Sequence, residues 1–275
     1  MPAKQPKHAR SKAKRPIIPI LVVLAVVLFG VVRACVVASH RLDSSWSGSA
    51  TGTSPFDRDC FVYSDGRYSY QDGSLVITKT GVDVSDHKGH IDWEAVANDG
   101  VSFAIVRVGY RGNTEGNIHA DELFEQNLTG ARDAGLECGV YFYSQAVSVE
   151  EAREEAHFVL DQLGSRRLEY PVVFDYELND GNRIANVDDE TASACARAFC
   201  DVIIEAGYEP MLYGNGYDLR PLDLSQLDDC QIWYAEYGNT PSRTGAFSIW
   251  QYSESGSVDG FSSTADLNLD LSEAL

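Results

Sequence analysis

Between Gly81 and Leu269, short β-branched and aromatic runs alternate with longer stretches in which apolar residues return at helical spacing. The short runs predict strands over Gly81–Ser85, Phe103–Gly109, Gly139–Ser144, Pro171–Leu178, Pro210–Asn215, Gln231–Tyr237, Phe247–Tyr252 and Ala265–Leu269. The longer stretches predict helices over Asp121–Ala134, Val149–Leu163 and Glu190–Ala206, with a short one over Asp92–Asn98. Ser148 stands where an N-cap belongs, and Glu151 three residues on would complete a capping box. Gly135, Gly164 and Gly207 follow the three long helices as stop residues. Strands alternating with helices predict a closed parallel barrel of the (β/α) kind over residues 80–275. The last three strands have little helical pattern between them, so the second half of the barrel should be irregular.

The pattern changes upstream. Residues 60–79 hold two β-like runs, Phe61–Tyr63 and Leu75–Thr78, with Asp65-Gly66 and Asp72-Gly73 as turns; they predict a small hairpin packed on the barrel. Residues 39–59, rich in Ser, Gly, Thr and Asp, predict a flexible stalk. Residues 17–38 carry an apolar run, Ile17–Val32, broken by Arg33 and resumed at Val36-Val37-Ala38. A basic tail, residues 1–16, precedes it. The order of basic flank, apolar helix and polar stalk predicts a signal anchor, with the tail in the cytoplasm and the barrel outside it. Cleavage after Ala38, with secretion, is the second reading.

Charge sharpens this division. Seven basic residues lie at or before Arg33, and no acid precedes Asp43; beyond Arg33, 15 basic residues face all 41 acidic ones, a net of −26. Such a surface repels nucleic acid and anionic lipid. Six cysteines, Cys35, Cys60, Cys138, Cys195, Cys200 and Cys230, are compatible with disulfides outside the cytoplasm, in a connectivity the spacing leaves open. Cys195 and Cys200, five apart on one helix, should not bridge to each other. No C-x-x-C pair suggests zinc or redox chemistry, and no metal site or cofactor is expected. The sequon at Asn127 falls on a predicted helix and is discounted.

Candidate chemistry collects at strand ends, where barrels of this kind keep their sites. Asp83 ends the first strand, Tyr141 and Tyr143 lie on the third, and Asp175 and Glu177 end the fourth. Tyr213 and Asn215 end the fifth, Glu236 the sixth and Gln251 the seventh, and Asp266 lies on the eighth. Asp175 and Glu177 are two apart on an apolar strand, so both should face the mouth with Tyr176 turned away. Two carboxyls that close cannot both ionise cheaply; one should hold a proton and serve as the acid that glycosidic cleavage needs.

The chain from Gly81 to Leu269 resembles glycoside hydrolase family 25, the lysozymes of the Chalaropsis type. The resemblance is carried by Gly81-Val82-Asp83-Val84-Ser85 with Gly89 and Ile91-Asp92-Trp93, by Phe103-Ala104-Ile105-Val106-Arg107, and by Asn127 with Ala134-Gly135-Leu136. It continues through Gly139-Val140-Tyr141-Phe142-Tyr143, Phe174-Asp175-Tyr176-Glu177, Trp250-Gln251-Tyr252 and Asp266-Leu267-Asn268. It implies hydrolysis of the β-1,4 bond between N-acetylmuramic acid and N-acetylglucosamine in peptidoglycan, without metal or cofactor. It implies Glu177 as the acid, Asp175 as its partner, and Asp83 and Asp266 as the other two acids of the site. Tyr141, Tyr143, Tyr213 and Trp250 would offer aromatic faces to sugar, and Glu236 and Gln251 complete the expected substrate-binding set. Two positions depart from the pattern: Phe142 stands where the family often has His, and Glu236 where it is usually neutral. The 2-acetamido group of muramic acid could assist its own displacement, oriented by Asp175; water displacement is the rival. A barrel that binds wall glycan without cutting it, or another acetamido-sugar hydrolase such as a chitinase, are the alternatives.

Overall fold

The computed structural model describes residues 54–238 and 240–275. The basic tail, the apolar segment, Cys35 and the stalk up to residue 53 lie outside the described residues. Among the described residues no helix is long and apolar enough to cross a membrane.

The chain opens with β1 (Phe61–Ser64), β2 (Arg67–Asp72) and β3 (Leu75–Val76), a three-stranded antiparallel sheet. The expected two-stranded hairpin is thus a three-stranded sheet, with β2 as an additional middle strand. Its signal was the alternation of Tyr68 and Tyr70, which put their rings on one face. Asp65 and Gly66 turn β1 into β2 with φ of 53° and 81°, the left-handed conformations that a two-residue hairpin turn requires.

Eight further strands close a ring in the order β4 (Lys79–Val84), β5 (Phe103–Arg111), β7 (Glu137–Tyr143), β8 (Val172–Asp175), β9 (Pro210–Gly214), β10 (Gln231–Ala235), β11 (Ile249–Gly256) and β12 (Ala265–Asp270). β12 pairs back onto β4, and the short β6 (Ile118–Ala120) hangs on the end of β5. Helices α1 (Trp93–Asn98), α2 (Phe124–Asp133), α3 (Val149–Leu163) and α4 (Asp189–Glu205) serve the first half; no described residue between β9 and β12 is in an α-helix. The expected barrel with a less helical second half is therefore present, with one correction. It is not fully parallel, because β12 runs antiparallel to both neighbours. The connection from Gly256 to Ala265 is shorter than the dozen or so residues that a parallel crossover needs, so the chain can only turn back.

The helix ends follow local chemistry. Ser148 Oγ accepts the Glu151 amide at 3.3 Å, as a cap should. The reciprocal bond of a capping box is not made. The Glu151 carboxylate accepts instead from the Val147 amide at 3.0 Å and pairs with Arg183 at 2.8 Å. Helix α2 begins three residues later than expected because the Asp121 carboxylate is used before it, accepting from the Leu123 amide and from Arg107. Gly135, Gly164 and Gly207 do end their helices with positive φ. Cys195 and Cys200 are both buried on α4 and unbridged. Asn127 is fully buried, which excludes glycosylation of the folded chain there.

Alternation along the strands sorts residues into two layers. Phe103, Ile105, Val173, Met211, Trp233 and Ile249 fill the barrel interior. The outward residues pack under the helices, and Tyr176 is among them, 1% exposed and stacked on Phe174. Where helices are lacking, the N-terminal sheet takes their place. Phe61 and Tyr68 pack their rings 5.4 and 4.8 Å from Trp250 on the outside of β11. The sheet thus covers an apolar barrel face and is stabilised by it.

Gly81 allows the bottom of the barrel to close. A Cβ there would lie 2.2 Å from the Phe103 ring, which is itself stacked 4.3 Å from Tyr170 and has no room to retreat. Gly81→Ala should lower unfolding stability by about 1–3 kcal/mol, read by urea denaturation; wild-type stability would show that Phe103 can shift freely.

Candidate active site

The inward positions at the C-terminal ends of the parallel strands form the mouth. Asp83 lies there on β4, buried, and its Oδ1 accepts two amide N–H groups at 2.8 Å, from Gln251 on β11 and Asn268 on β12. Each donor is itself fixed. Asn268 Oδ1 accepts from Trp233 Nε1 at 2.8 Å, and Gln251 Oε1 accepts from the Tyr213 and Tyr237 hydroxyls at 2.8 and 2.7 Å. One carboxylate is thus the end point of a network drawn from five strands and the loop after β10. Asp266 sits opposite Asp83 in the β4–β12 register and pairs with Lys88 at 2.8 Å. Because β12 is antiparallel, its first turn, not its last, reaches the mouth.

Asp175 is the last residue of β8, between Tyr143 on β7 and Tyr213 on β9. It is 4% exposed, and its Oδ1 is buried without a hydrogen-bond partner. Glu177, two residues on, is half-buried and lines an open cleft of about 480 Å³ with Tyr213, Asn215, Asp218, Tyr237 and Glu254. Arg107 on β5 is buried nearby, donating to Asp121 at 2.7 Å and to Asp86 at 2.5 Å.

Crowding of carboxyls governs the electrostatics. Burial, reinforced by Asp266, pushes Asp83 up to about 7 against the pull of its two amide donors. Burial, then Glu177 and Asp83, raises Asp175 well above the usual carboxylate range, with Arg107 opposing. Burial and then Asp218 raise Glu177, while hydrogen bonds with Asp175 and Asn179 pull the other way. Asp266 is raised by burial, with Lys88 holding it back. Asp175 and Glu177 are thus both pushed towards the protonated form, and each carboxyl makes ionisation of the pair harder.

Nine of the ten expected site residues meet at or around this mouth. Asp83, Asp175, Glu177 and Asp266 converge; Tyr141, Tyr143 and Tyr213 occupy inward positions; and Gln251 holds Asp83. Glu236 lines the cleft, its carboxylate accepting the Ser242 amide at 2.7 Å. Trp250 is the correction. As the even neighbour of inward Gln251 it faces outwards, fully buried against the N-terminal sheet, and offers no face to the mouth. Arg107, Asn268, Tyr237, Asp218 and Lys88 were not proposed. Arg107 and Asn268 were findable by alternation, since Arg107 falls two residues beyond inward Ile105 and Asn268 two beyond Asp266; the loop residues carried no such periodic signal.

A family model described as glycosyl hydrolases family 25 matches residues 82–261. The chain belongs to this family. It is 29% identical over 189 residues to the autolytic lysozyme of Clostridium acetobutylicum, covering 68% of this chain and 54% of that protein. It is 27% identical over 206 residues to lysozyme M1 of Streptomyces globisporus, covering 68% of this chain and 66% of that one. The chain thus spans about half to two thirds of the curated relatives it matches. Among solved structures, the bacterial lysozyme from Streptomyces coelicolor superposes with a TM-score of 0.60 at 25% identity, over 72% of this chain and 92% of that one. A family 25 glycosyl hydrolase from Bacillus anthracis shares the fold with a TM-score of 0.62 at 20% identity, over 76% and 94% of the two chains. The family 25 match begins within β4, spans β5 to β11 and ends before β12.

The mouth sets a pH dependence of stability. Asp83 titrates near 3.9 when unfolded and near 7 when folded, so its protonated form favours the fold. That contribution is complete below about pH 4 and is lost as pH rises through 7. The melting temperature should fall between about pH 4 and 7, and Asp83→Asn should remove part of that fall while costing little at pH 4. A wild-type melting temperature flat across the interval, by scanning calorimetry, would contradict the raised carboxyl.

Proposed function

We propose that this family 25 chain hydrolyses the β-1,4 bond between N-acetylmuramic acid and N-acetylglucosamine in peptidoglycan. The carrying observation is the pair at the end of β8: Asp175 buried with an orphaned Oδ1, and Glu177 beside it opening onto the cleft. The names of the relatives, autolytic lysozyme and lysozyme M1, support the same substrate.

The chemistry that best fits the pair is substrate assistance. A 2-acetamido N–H donated to Asp175 Oδ1 would satisfy that orphan and favour its anion. With Asp175 held as its anion, the proton of the pair belongs on Glu177, which delivers it to the leaving glycosidic oxygen. Asp175 would hold the acetamide carbonyl against the anomeric carbon and balance the positive charge that develops on the cyclic intermediate. Asp83 and Asp266, on the opposite wall, would face the sugar ring, with Tyr141, Tyr143 and Tyr213 forming the aromatic sides.

Glu177→Gln should keep the fold and lower hydrolysis of purified peptidoglycan by about 100- to 10,000-fold. Near-wild-type turnover by that folded variant would remove Glu177 from its role. Asp175→Asn should lose most of the rate as well, and wall lacking the N-acetyl group on muramic acid should hardly be cut. Proton NMR of the first-formed product should show the β-anomer, since two successive inversions restore configuration; the α-anomer would exclude assistance.

For placement, we propose that the barrel works outside the cytoplasm, tethered by the apolar segment of residues 17–38. The basic stretch Lys4–Arg15 before that segment and the Ser/Gly-rich stalk after it support the reading. The full chain should sediment with membranes, and a protein beginning at Ser39 should be soluble and active. Native protein found wholly in the medium with Ser39 as its first residue would favour cleavage instead.

A further inference from the structure

We propose that Asp218, on the loop after β9, is a positioning residue for Glu177: its carboxylate ties that loop to the backbone just beyond Glu177 and stands behind the acid as a fixed negative group. This rests on the reading of Glu177 as the proton donor.

Asp218 is 4% exposed, and both its oxygens are spent on backbone N–H groups. Oδ1 accepts from the Leu178 amide at 2.8 Å and Oδ2 from the Asn215 amide at 3.1 Å. Asn215 braces the same turn, its side-chain oxygen accepting from the Tyr217 and Asp218 amides at 2.7 and 3.2 Å. Gly214 makes the approach possible, since a Cβ there would lie 2.9 Å from the Asp218 Cβ and 3.2 Å from the Tyr176 carbonyl oxygen. Burial pushes Asp218 up, and the two N–H bonds it accepts pull the other way and favour the ionised form through which it acts. Its reach to substrate therefore runs through Glu177.

Two effects follow. The last bond between β8 and β9 runs from the Tyr176 amide to the Tyr213 carbonyl at 3.3 Å, and the Leu178 amide beyond it is paired by Asp218; the bond fixes the segment that carries Glu177. The charge of Asp218 is also the largest influence after burial that raises Glu177. The other groups facing Glu177 are Asp175 on β8, Tyr143 on β7 and Tyr213 on β9, with Glu236, Tyr237 and Glu254 across the cleft. Removing a negative neighbour makes the Glu177 anion easier to form, so its titration midpoint must fall.

The test is a carbon-13 carboxyl NMR titration of Glu177 in the whole protein, its signal identified by its loss in Glu177→Gln. In Asp218→Asn, which keeps the shape and one acceptor, the midpoint should fall by about one pH unit. The basic limb of the kcat/KM profile should fall with it, kcat at neutral pH should drop several-fold, and KM should stay within about two-fold. Asp218→Glu should restore the midpoint at least in part. Asp218→Ser, with the same expected shift, serves if the Asn variant does not fold. A merely structural Asp218 would lower the melting temperature and leave midpoint and limb in place, and that result in a folded Asn or Ser variant overturns the proposal. Wild-type protein without hydrolytic activity would overturn the functional reading, while the carboxyl titration still reads the hold of Asp218 on Glu177.

Discussion

Asp83, Asp175, Glu177, Asp218 and Asp266 share one barrel mouth, and the cations set against them, Lys88 and Arg107, are too few to neutralise them. Lys88 serves Asp266, and Arg107 is already engaged by Asp86 and Asp121. Like charges in a site walled by Trp233, Tyr141 and Tyr213 cannot all persist, since burial and mutual repulsion both favour protonation. All five are raised above the ordinary carboxylate range, Asp83 to about 7, where a free carboxyl would have lost its proton. A raised carboxyl is what an acid catalyst requires, and its cost falls on stability.

The surrounding architecture makes that cost tolerable by satisfying whatever can be satisfied. Asp83 receives two amide donors, and those donors are held in turn by Trp233, Tyr213 and Tyr237. Asp218 spends both oxygens on backbone N–H groups. Asp175 Oδ1 is the exception, buried and unpaired between two tyrosine-bearing strands. In a network so fully paired elsewhere, an orphaned oxygen marks the place where a substrate N–H would be worth most.

Much of this was legible in the residues because two periodicities carry it. The period of two set Asp175 and Glu177 on one face with Tyr176 turned away, and the same parity, carried to β5 and β11, would have found Arg107 inside and Trp250 outside; the aromatic character of Trp250 outweighed its parity. All eight barrel strands and the four helices were visible for the same reason. What was not legible is set by distance in sequence. The cover supplied to β11 by Phe61 and Tyr68 joins residues nearly two hundred positions apart, and the clamp of Asp218 on Leu178 joins two loops with no repeat to betray it. The direction of β12 is a different case. The shortness of the connection from Gly256 to Ala265 excludes a parallel crossover, and the alternation of strands and helices in the first half of the chain masked that constraint.

That reversal is also where folding and chemistry meet. Run in the parallel sense, β12 would carry Asp266 to the bottom of the barrel and leave Asp270 at the mouth. Turned back, it pairs Asp266 with Asp83 across β4 and brings Asn268 within hydrogen-bond reach of both Asp83 and Trp233. The strand that closes the ring thereby supplies one carboxylate of the site and anchors another. Closure of the last sheet pairing and the placing of Asp83 beside Asp266 are one event, so any change that loosens β12 from β4 must disturb both carboxyls before it opens the barrel.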